Sequence, residues 1–241
     1  MHHVVFERWS RGASPLHTLD ARAKLAALLV FLVAVSTTAP ASQIAFAADA
    51  LLLGAALGAS RLPVAGILGR AALVLPFAAT FALITWWSGE PMRALSLMEK
   101  SLLSGLAALL TMATTPLEQL MGALDSARTP RPLLLVIQFL YRYLFVISEQ
   151  AQHMRLAARC RQGVGHRGGA RFHAAAGAVG VLFARSWERA DGIYRAMLAR
   201  GFTGRFPELV PARFGGRDAA FLCGCAAVTL AVRLGLAEFQ R

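Results

Sequence analysis

The sequence MRLAARC at residues 154–160 and the sequence RAMLARG at residues 195–201 distinguish this chain most clearly. Each places an Ala-Arg pair at the end of an arginine-containing helical run, and a small residue follows. Both lie within residues 140–207, which differ in charge from the apolar sequence around them. This segment contains eleven arginines: Arg142, Arg155, Arg159, Arg161, Arg167, Arg171, Arg185, Arg189, Arg195, Arg200 and Arg205. Because cationic loops between apolar runs remain in the cytoplasm, we interpret the segment as a cytoplasmic module of a membrane protein.

The composition supports that interpretation. Of the 241 residues, 56% are hydrophobic and 16% are charged, whereas a soluble domain carries about a quarter charged residues. Several apolar runs approach the ~20 residues that a helix needs to cross a bilayer. A membrane barrel would show alternating segments instead. The predicted fold class is all-α: a polytopic helical membrane protein with about five transmembrane helices and a cytoplasmic module of amphipathic helices.

The charge of the chain fits the same class. The formal net charge is +12, and arginine supplies nearly all of it. In a soluble protein such a balance would suggest nucleic-acid binding. Here the cations cluster between hydrophobic runs, as cytoplasmic loops do. We therefore expect contact with a lipid bilayer and no binding of nucleic acid.

The apolar runs predict the topology, with the N-terminus inside and the C-terminus outside. The five predicted spans are residues 24–38, 41–59, 64–87, 101–115 and 219–237. Asp20 is a suitable N-cap for the first span, Pro76 should kink the third, and residues 88–100 should form an external connection. The predicted domains are 1–115, an N-terminal arm with four transmembrane helices; 116–216, a cytoplasmic and interfacial module; and 217–241, the final transmembrane helix.

Two helical segments are predicted at the start of the module. Thr115 as a cap, Pro116 and a following glutamate indicate a helix over residues 116–127, with an apolar face suited to the membrane surface. Residues 133–147 are apolar enough to cross, but a polar stripe continues from them into the Arg-rich module: Gln138, Arg142, Glu149 and His153. Crossing would place the arginines outside, against the positive-inside rule. We predict one long amphipathic helix there, non-spanning or re-entrant.

The rest of the module is predicted to be helical after a break at Gly163, Gly165, Gly168 and Gly169. Residues 170–200 should form one or two helices, which end at Gly201. Glu188 and Asp191 can pair with nearby arginines there. Bulky apolar contacts are expected from four side chains: Trp187, Tyr194, Met197 and Leu198.

The sequence offers little for catalysis or metal binding. It has no Gly-x-x-x-x-Gly-Lys phosphate loop, no Gly-x-Ser-x-Gly elbow and no His-Glu-x-x-His zinc helix. Cys160, Cys223 and Cys225 form neither a disulfide framework nor a four-ligand metal set. A metal-binding N-terminus at residues 1–3 (MHH) is less favoured than an unstructured one. Asp49 lies inside an apolar run, where a carboxylate is costly and either functional or paired with a polar neighbour.

The two Ala-Arg stretches suggest docking. Small residues let another surface approach closely, and a guanidinium offers five donors in a fixed fork. For any single arginine a topological role is sufficient. Two such stretches about forty residues apart in one cytoplasmic module favour contact with partner proteins.

The chain resembles the transmembrane T component of energy-coupling-factor (ECF) transporters, the EcfT/CbiQ family. That family carries two Ala-Arg-Gly motifs at the ends of cytoplasmic coupling helices. Ala199-Arg200-Gly201 matches the second motif, and Ala158-Arg159-Cys160 is similar to the first but has Cys160 in place of glycine. The N-terminal sequence SPLHTLDARAK at residues 14–24 also resembles the family, and YRYLF at residues 141–145 resembles its cobalt/nickel branch.

The resemblance implies a coupling scaffold in a prokaryotic cell membrane, not an enzyme. Arg159 and Arg200 would each insert into a groove on one of two ATP-binding subunits, which would hold the ATP and Mg²⁺. A separate membrane (S) subunit would bind the substrate, a cobalt or nickel ion, and this chain would carry no cofactor or metal site. The alternatives are a stand-alone secondary transporter and a T component for a vitamin. Because a left-handed backbone favours glycine, Cys160 puts the first docking contact in question.

Overall fold

The computed structural model describes residues 9–10, 12, 14–40, 42–161, 168–204 and 214–239. In these ranges the chain is helical and contains no strand, so the all-α prediction is confirmed. The predicted helix break at glycines 163–169 and the N-terminal histidines lie largely or wholly outside the described residues. The helices are α1 (Ala21–Thr37), α2 (Gln43–Ser60), α3 (Val64–Ala71), α4 (Leu75–Trp87), α5 (Pro91–Thr114), α6 (Leu117–Ser126), α7 (Arg131–Arg161), α8 (Gly168–Ala199) and α9 (Gly216–Phe239).

The chain divides into two compact units. The first unit comprises Met1–Ala123 together with Val210–Arg241, and the second comprises Leu124–Leu209. Helices α1 to α5 and α9 belong to the first unit. Helices α7 and α8 belong to the second, which contains both Ala-Arg stretches.

The first unit is a helical bundle around α5. This helix packs against α1, α2, α3 and α4, and α9 packs against α1 and α2. The outer faces remain apolar, as membrane-spanning helices require: Leu73 and Trp87, for example, are 76% and 87% exposed. The buried core is formed by Phe31, Val35, Phe46, Leu53, Leu57, Ile67, Leu103, Leu106 and Leu110.

Two local signals in the first unit act as the sequence predicted. The side chain of Asp20 accepts a hydrogen bond from the backbone N–H of Arg22 at 2.9 Å and so caps α1. The third apolar run is interrupted before Pro76, where a 3₁₀ turn (Ala72–Val74) joins α3 to α4. Proline has no N–H to donate to the preceding turn, which accounts for the interruption.

The predicted external connection at residues 88–100 is wrong over most of its length. Helix α5 begins at Pro91 and continues unbroken to Thr114. Proline is well suited to the first helical position because its missing N–H would have no intrahelical partner there. Pro91 therefore starts α5, the helix of the fourth predicted span, ten residues before the predicted Ser101.

Four described helical segments are long and apolar enough to cross a membrane: Gln43–Ser60, Val64–Trp87, Pro91–Thr114 and Arg131–Cys160. The first three correspond to the second, third and fourth predicted spans. Helix α1, the first predicted span, has 17 residues, or about 25 Å at 1.5 Å per residue, close to the lower limit for crossing. Helix α9 covers the last predicted span, but its side chains are described only as far as Val232.

The structure changes the interpretation of residues 133–147. They lie within α7, a continuous helix of 31 residues. The prediction of one long helix is confirmed, and its polar stripe of Gln138, Arg142, Glu149 and His153 is exposed. A re-entrant segment turns back through non-helical backbone, which α7 lacks, so that alternative is wrong. By length and composition α7 can cross a membrane; a non-spanning position stays a prediction.

Helix α6 also differs from its prediction as a surface helix. Leu120 and Met121, on its apolar face, are buried in the protein. That face therefore packs against protein side chains instead of lying entirely on lipid. The expected cap from Thr115 is not formed through its hydroxyl, which has no hydrogen-bond partner in the described part of the chain.

Candidate docking site

Arg200 is the C-cap residue of α8. The helix ends at Ala199, and two hydrogen bonds close it: Gly201 N–H to Leu198 O at 3.0 Å and Phe202 N–H to Met197 O at 3.0 Å. This pair of bonds defines a Schellman motif, in which the residue after the cap has a left-handed backbone. The motif fixes Arg200 at the tip of the helix.

Gly201 supplies the left-handed residue. Its φ angle is +74°, a conformation that glycine adopts without the steric penalty of a side chain. A Cβ atom at this position would have no neighbour within 4 Å, so the requirement for glycine comes from the backbone alone. The glycine of the second Ala-Arg stretch therefore has a definite structural role, which is to stop α8 directly after Arg200.

The first Ala-Arg stretch has a different local structure. Helix α7 continues through Ala158, Arg159 and Cys160 and ends at Arg161. Cys160 is therefore within the helix, and it is not among the described non-glycine residues with positive φ. Since cysteine adopts helical angles freely, the replacement of glycine by Cys160 is compatible with the backbone at this position.

Both arginines present their guanidinium groups to solvent. Arg159 and Arg200 are exposed, and within the described residues neither side chain makes a hydrogen bond or an ion pair. A nearby arginine behaves differently: Arg195 pairs with Asp191 at 2.7 Å, as the sequence predicted for the carboxylates of α8. The two arginines of the Ala-Arg pairs thus retain their full donor capacity for another molecule.

Exposed apolar side chains accompany both arginines. Leu156 lies one helical turn before Arg159 and is 61% exposed, while Leu198 lies just before Arg200 and is 52% exposed. An arginine beside a large exposed apolar side chain is a typical combination at protein interfaces. The two helix ends therefore have the composition of contact surfaces.

Sequence reasoning overestimated the internal packing of α8. Trp187, Tyr194, Met197 and Leu198 were expected to make bulky apolar contacts. Of these, Met197 lines a cavity between α7 and α8, whereas Trp187, Tyr194 and Leu198 are at least half exposed. The sequence shows which residues are apolar but not how few of them α7, the helix that packs against α8 in the described part of the unit, is able to cover.

No described group of three or more histidine, cysteine or acidic residues could hold a metal ion. Asp49 is buried in α2. Because a carboxylate that faces lipid is costly, a buried position is the one expected for Asp49 inside an apolar run. Neither observation suggests a reaction centre in the described residues. In the second unit, the groups best placed to bind another molecule are the exposed arginines at the two helix ends.

Comparison with known proteins agrees with this arrangement. The model of the CbiQ family, described as cobalt transport protein, matches residues 12–211. The uncharacterized protein MJ1571 of Methanocaldococcus jannaschii is 24% identical over 243 residues, which cover 91% of this chain and 82% of that protein. The uncharacterized protein MJ1089 of the same organism is 28% identical over 110 residues, 45% of this chain and 40% of that protein.

The family match extends over most of the chain and includes both Ala-Arg stretches. Together with the apolar helices of the first unit, it identifies a membrane transport component rather than a soluble protein. The chain belongs to the CbiQ family of cobalt transport proteins.

Proposed function

We propose that this chain is the transmembrane coupling (T) component of an ECF-type ABC importer for cobalt, with nickel as a second substrate to be tested. It would connect two ATP-binding subunits to a substrate-binding membrane (S) subunit. The docking residues would be Ala158, Arg159 and Cys160 on α7 and Ala199, Arg200 and Gly201 at the end of α8. The observation that supports this most directly is the unpaired guanidinium of Arg200 at a rigid helix end.

Each arginine would insert into a groove on one ATP-binding subunit. The guanidinium can bind a carboxylate or helix-end carbonyls there, and the adjacent alanine allows close approach. Helices of 31 and 32 residues would then transmit nucleotide-driven closure to the S subunit as a rigid-body movement. ATP and Mg²⁺ would be bound by the partners, so this chain needs no cofactor and performs no reaction itself.

The same proposal assigns an orientation. The N-terminus would lie in the cytoplasm, the second unit on the cytoplasmic side of the membrane and the C-terminus outside, because the arginines of the second unit follow the positive-inside rule. A cysteine-labelling experiment with a membrane-impermeant maleimide tests this. Cys160 should react only after permeabilisation, whereas a cysteine added after Arg241 should react in intact cells.

The docking role is tested by co-expressing the chain with its ATP-binding and S subunits. The variants are Arg159→Ala, Arg200→Ala and the double variant, with Arg195→Ala as the control because Arg195 is exposed and paired on its own helix. Truncating an interface arginine anchor often costs 2 kcal/mol or more, so we expect co-purification and ATP-dependent cobalt uptake to fall about tenfold or more. Arg195→Ala should behave as wild type. A double variant that assembles and transports normally would contradict the proposal.

One observation favours a second candidate, a stand-alone secondary transporter. Asp49 is buried inside a candidate span, and ion-coupled transporters use such carboxylates. Cobalt uptake by this chain alone, driven by an ion gradient and lost in Asp49→Asn, would support that candidate. Uptake that requires the ATP-binding subunits would exclude it, and competition by a vitamin would identify the remaining alternative substrate.

A further inference from the structure

A cavity of about 340 Å³ lies between α7 and α8 within the second unit. Its walls come from one face of each helix, and its volume falls within the range of small-molecule pockets. The lining residues that define it best are Phe139, Tyr143 and Ile147 on α7 and Ala190, Ile193 and Met197 on α8. Because the described residues that line it all belong to α7 and α8, the cavity is part of the space where the two long helices meet.

The cavity is apolar with one cation at its lining. Among the described residues that line it, Arg189 is the only charged one and none is a carboxylate; the remaining polar residues are Tyr143, Gln150 and Ser186. Within the described residues the guanidinium of Arg189 makes no ion pair or hydrogen bond. An occupant that fits these walls is therefore largely apolar and carries an anionic group.

The position of the cavity on α7 indicates where such an occupant would come from. Phe139, Tyr143 and Ile147 belong to the apolar part of Arg131–Cys160, which is long and apolar enough to cross a membrane. Leu140, which also lines the cavity, is 63% exposed, and the side chain of Val136 one turn earlier is 62% exposed. This wall of the cavity is therefore suited to contact with lipid, and the bilayer is the nearest source of apolar chains with anionic heads.

We propose that the cavity binds an acyl chain of an anionic phospholipid and that Arg189 binds its phosphate. A guanidinium matches phosphate oxygens in a bidentate geometry, and the cytoplasmic leaflet is rich in anionic lipids. The lipid would fill the space between α7 and α8 and so fix the relative position of the two helices. This inference depends on the membrane character of the chain and is independent of the docking of ATP-binding subunits.

Photo-crosslinking in nanodiscs tests the site. The probes are phosphatidylglycerol and phosphatidylcholine, each with a diazirine on one acyl chain, and the full-length chain is digested and analysed by mass spectrometry. We expect phosphatidylglycerol to label peptides that contain Phe139–Gln150 or Ser186–Met197 in preference to phosphatidylcholine. Arg189→Gln should reduce the preference about fivefold, the effect expected for one arginine near an anionic membrane. Arg185→Gln, on the same helix but outside the cavity, should leave it unchanged.

A second variant fills the cavity without changing its charge, and so tests whether the acyl chain occupies that volume. Ala190→Phe should abolish labelling inside the cavity by both probes while the chain remains monodisperse. Uniform labelling along α7 and α8 that neither variant alters would show ordinary surrounding lipid and overturn the proposal. If the S subunit is co-expressed, unchanged lipid labelling in Ala190→Phe together with loss of S-subunit co-purification would also overturn it, because the occupant would then be a partner side chain.

Discussion

The backbone N–H of Asp20 donates a hydrogen bond to Oδ1 of Asp218 at 2.8 Å, between residues 198 positions apart. The second carboxylate oxygen of Asp218 accepts the N–H of Gly215 at 2.8 Å. Asp20 itself caps α1 through Arg22 N–H. One carboxylate thus joins the N-terminal ends of α1 and α9, the first and last described helices of the first unit.

Removing the Asp218 carboxylate should loosen this junction. Asp218→Ala deletes two acceptors for backbone N–H groups, and hydrogen bonds to charged groups contribute about 1.5–3 kcal/mol each at most sites. Because neighbouring water can replace part of that loss, we expect destabilisation of about 1–2 kcal/mol. The thermal unfolding midpoint in detergent at pH 7 measures it. Asp191→Ala is the control, since its exposed ion pair with Arg195 should contribute less than about 1 kcal/mol.

The same junction predicts a dependence on acid. Hydrogen bonds from the N–H groups of Asp20 and Gly215, in that order, lower the pKa of Asp218 below its ordinary value, and Lys24 adds to the effect. A carboxyl whose pKa is lowered by folding stabilises the fold above its unfolded pKa of about 3.9 and loses that contribution as the pH falls through the lowered value. Unfolding midpoints measured from pH 7 to pH 3 should fall less for Asp218→Asn than for wild type. Parallel curves would contradict the prediction.

Gly201 and Gly192 provide a matched pair on α8. Gly201→Ala should cost roughly 1–2 kcal/mol at the helix end, because alanine is strained in the left-handed conformation. Gly192→Ala, inside the helix with no neighbour within 4 Å of the new Cβ, should instead stabilise α8 by about 0.5–1 kcal/mol. Hydrogen–deuterium exchange of residues 190–202 should rise in Gly201→Ala and fall in Gly192→Ala. Equal responses in the two variants would show that the Schellman end is not required.

At position 160, replacement of cysteine by alanine should be tolerated better than replacement by glycine, the residue that the family motif carries there. The position of Cys160 inside α7 means that Cys160→Gly lowers helix stability by about 0.5–1 kcal/mol, whereas Cys160→Ala retains it. We expect Cys160→Ala to co-purify with the ATP-binding subunits like wild type. Stronger complex formation by Cys160→Gly than by both others would mean that docking requires a helix end at residue 160.

The sequence could predict the features of the fold that depend on neighbouring residues, such as where a helix starts, breaks or ends. The cap at Asp20, the interruption before Pro76 and the end of α8 at Gly201 each depend on a few adjacent residues. The sequence does not predict the early start of α5 at Pro91, because proline after Gly89 and Glu90 is typical of a loop as well as of a helix start. The bond from Asp20 to Asp218 has no sequence pattern, and the exposure of Trp187 depends on how few helices surround it. For the candidate site, sequence identified the arginines, while their freedom from internal partners required the structure.

The N-terminal arm offers a further test through Trp9. The guanidinium of Arg70 lies 4.3 Å from the centre of the Trp9 ring system, and a Cβ on Gly66 would come within 3.1 Å of that ring. His17 Nε2 lies 2.9 Å from the carbonyl oxygen of Trp9, which positions the arm further. Trp9 thus packs so close to Gly66 that even a Cβ atom there would force its ring to shift by a few tenths of an ångström.

Gly66→Val should therefore displace Trp9 from α3. In a background where Trp86, Trp87 and Trp187 are replaced by phenylalanine, Trp9 becomes the sole indole, and its displacement should raise its iodide quenching and shift its emission to longer wavelength. Gly69→Val is the control on the same helix, because a Cβ there meets nothing within 4 Å. Loss of the cation–π contact with Arg70, worth about 0.5–2 kcal/mol, should lower the unfolding midpoint of the Gly66 variant alone. Equal quenching in both variants would mean that Trp9 does not pack against Gly66 in solution.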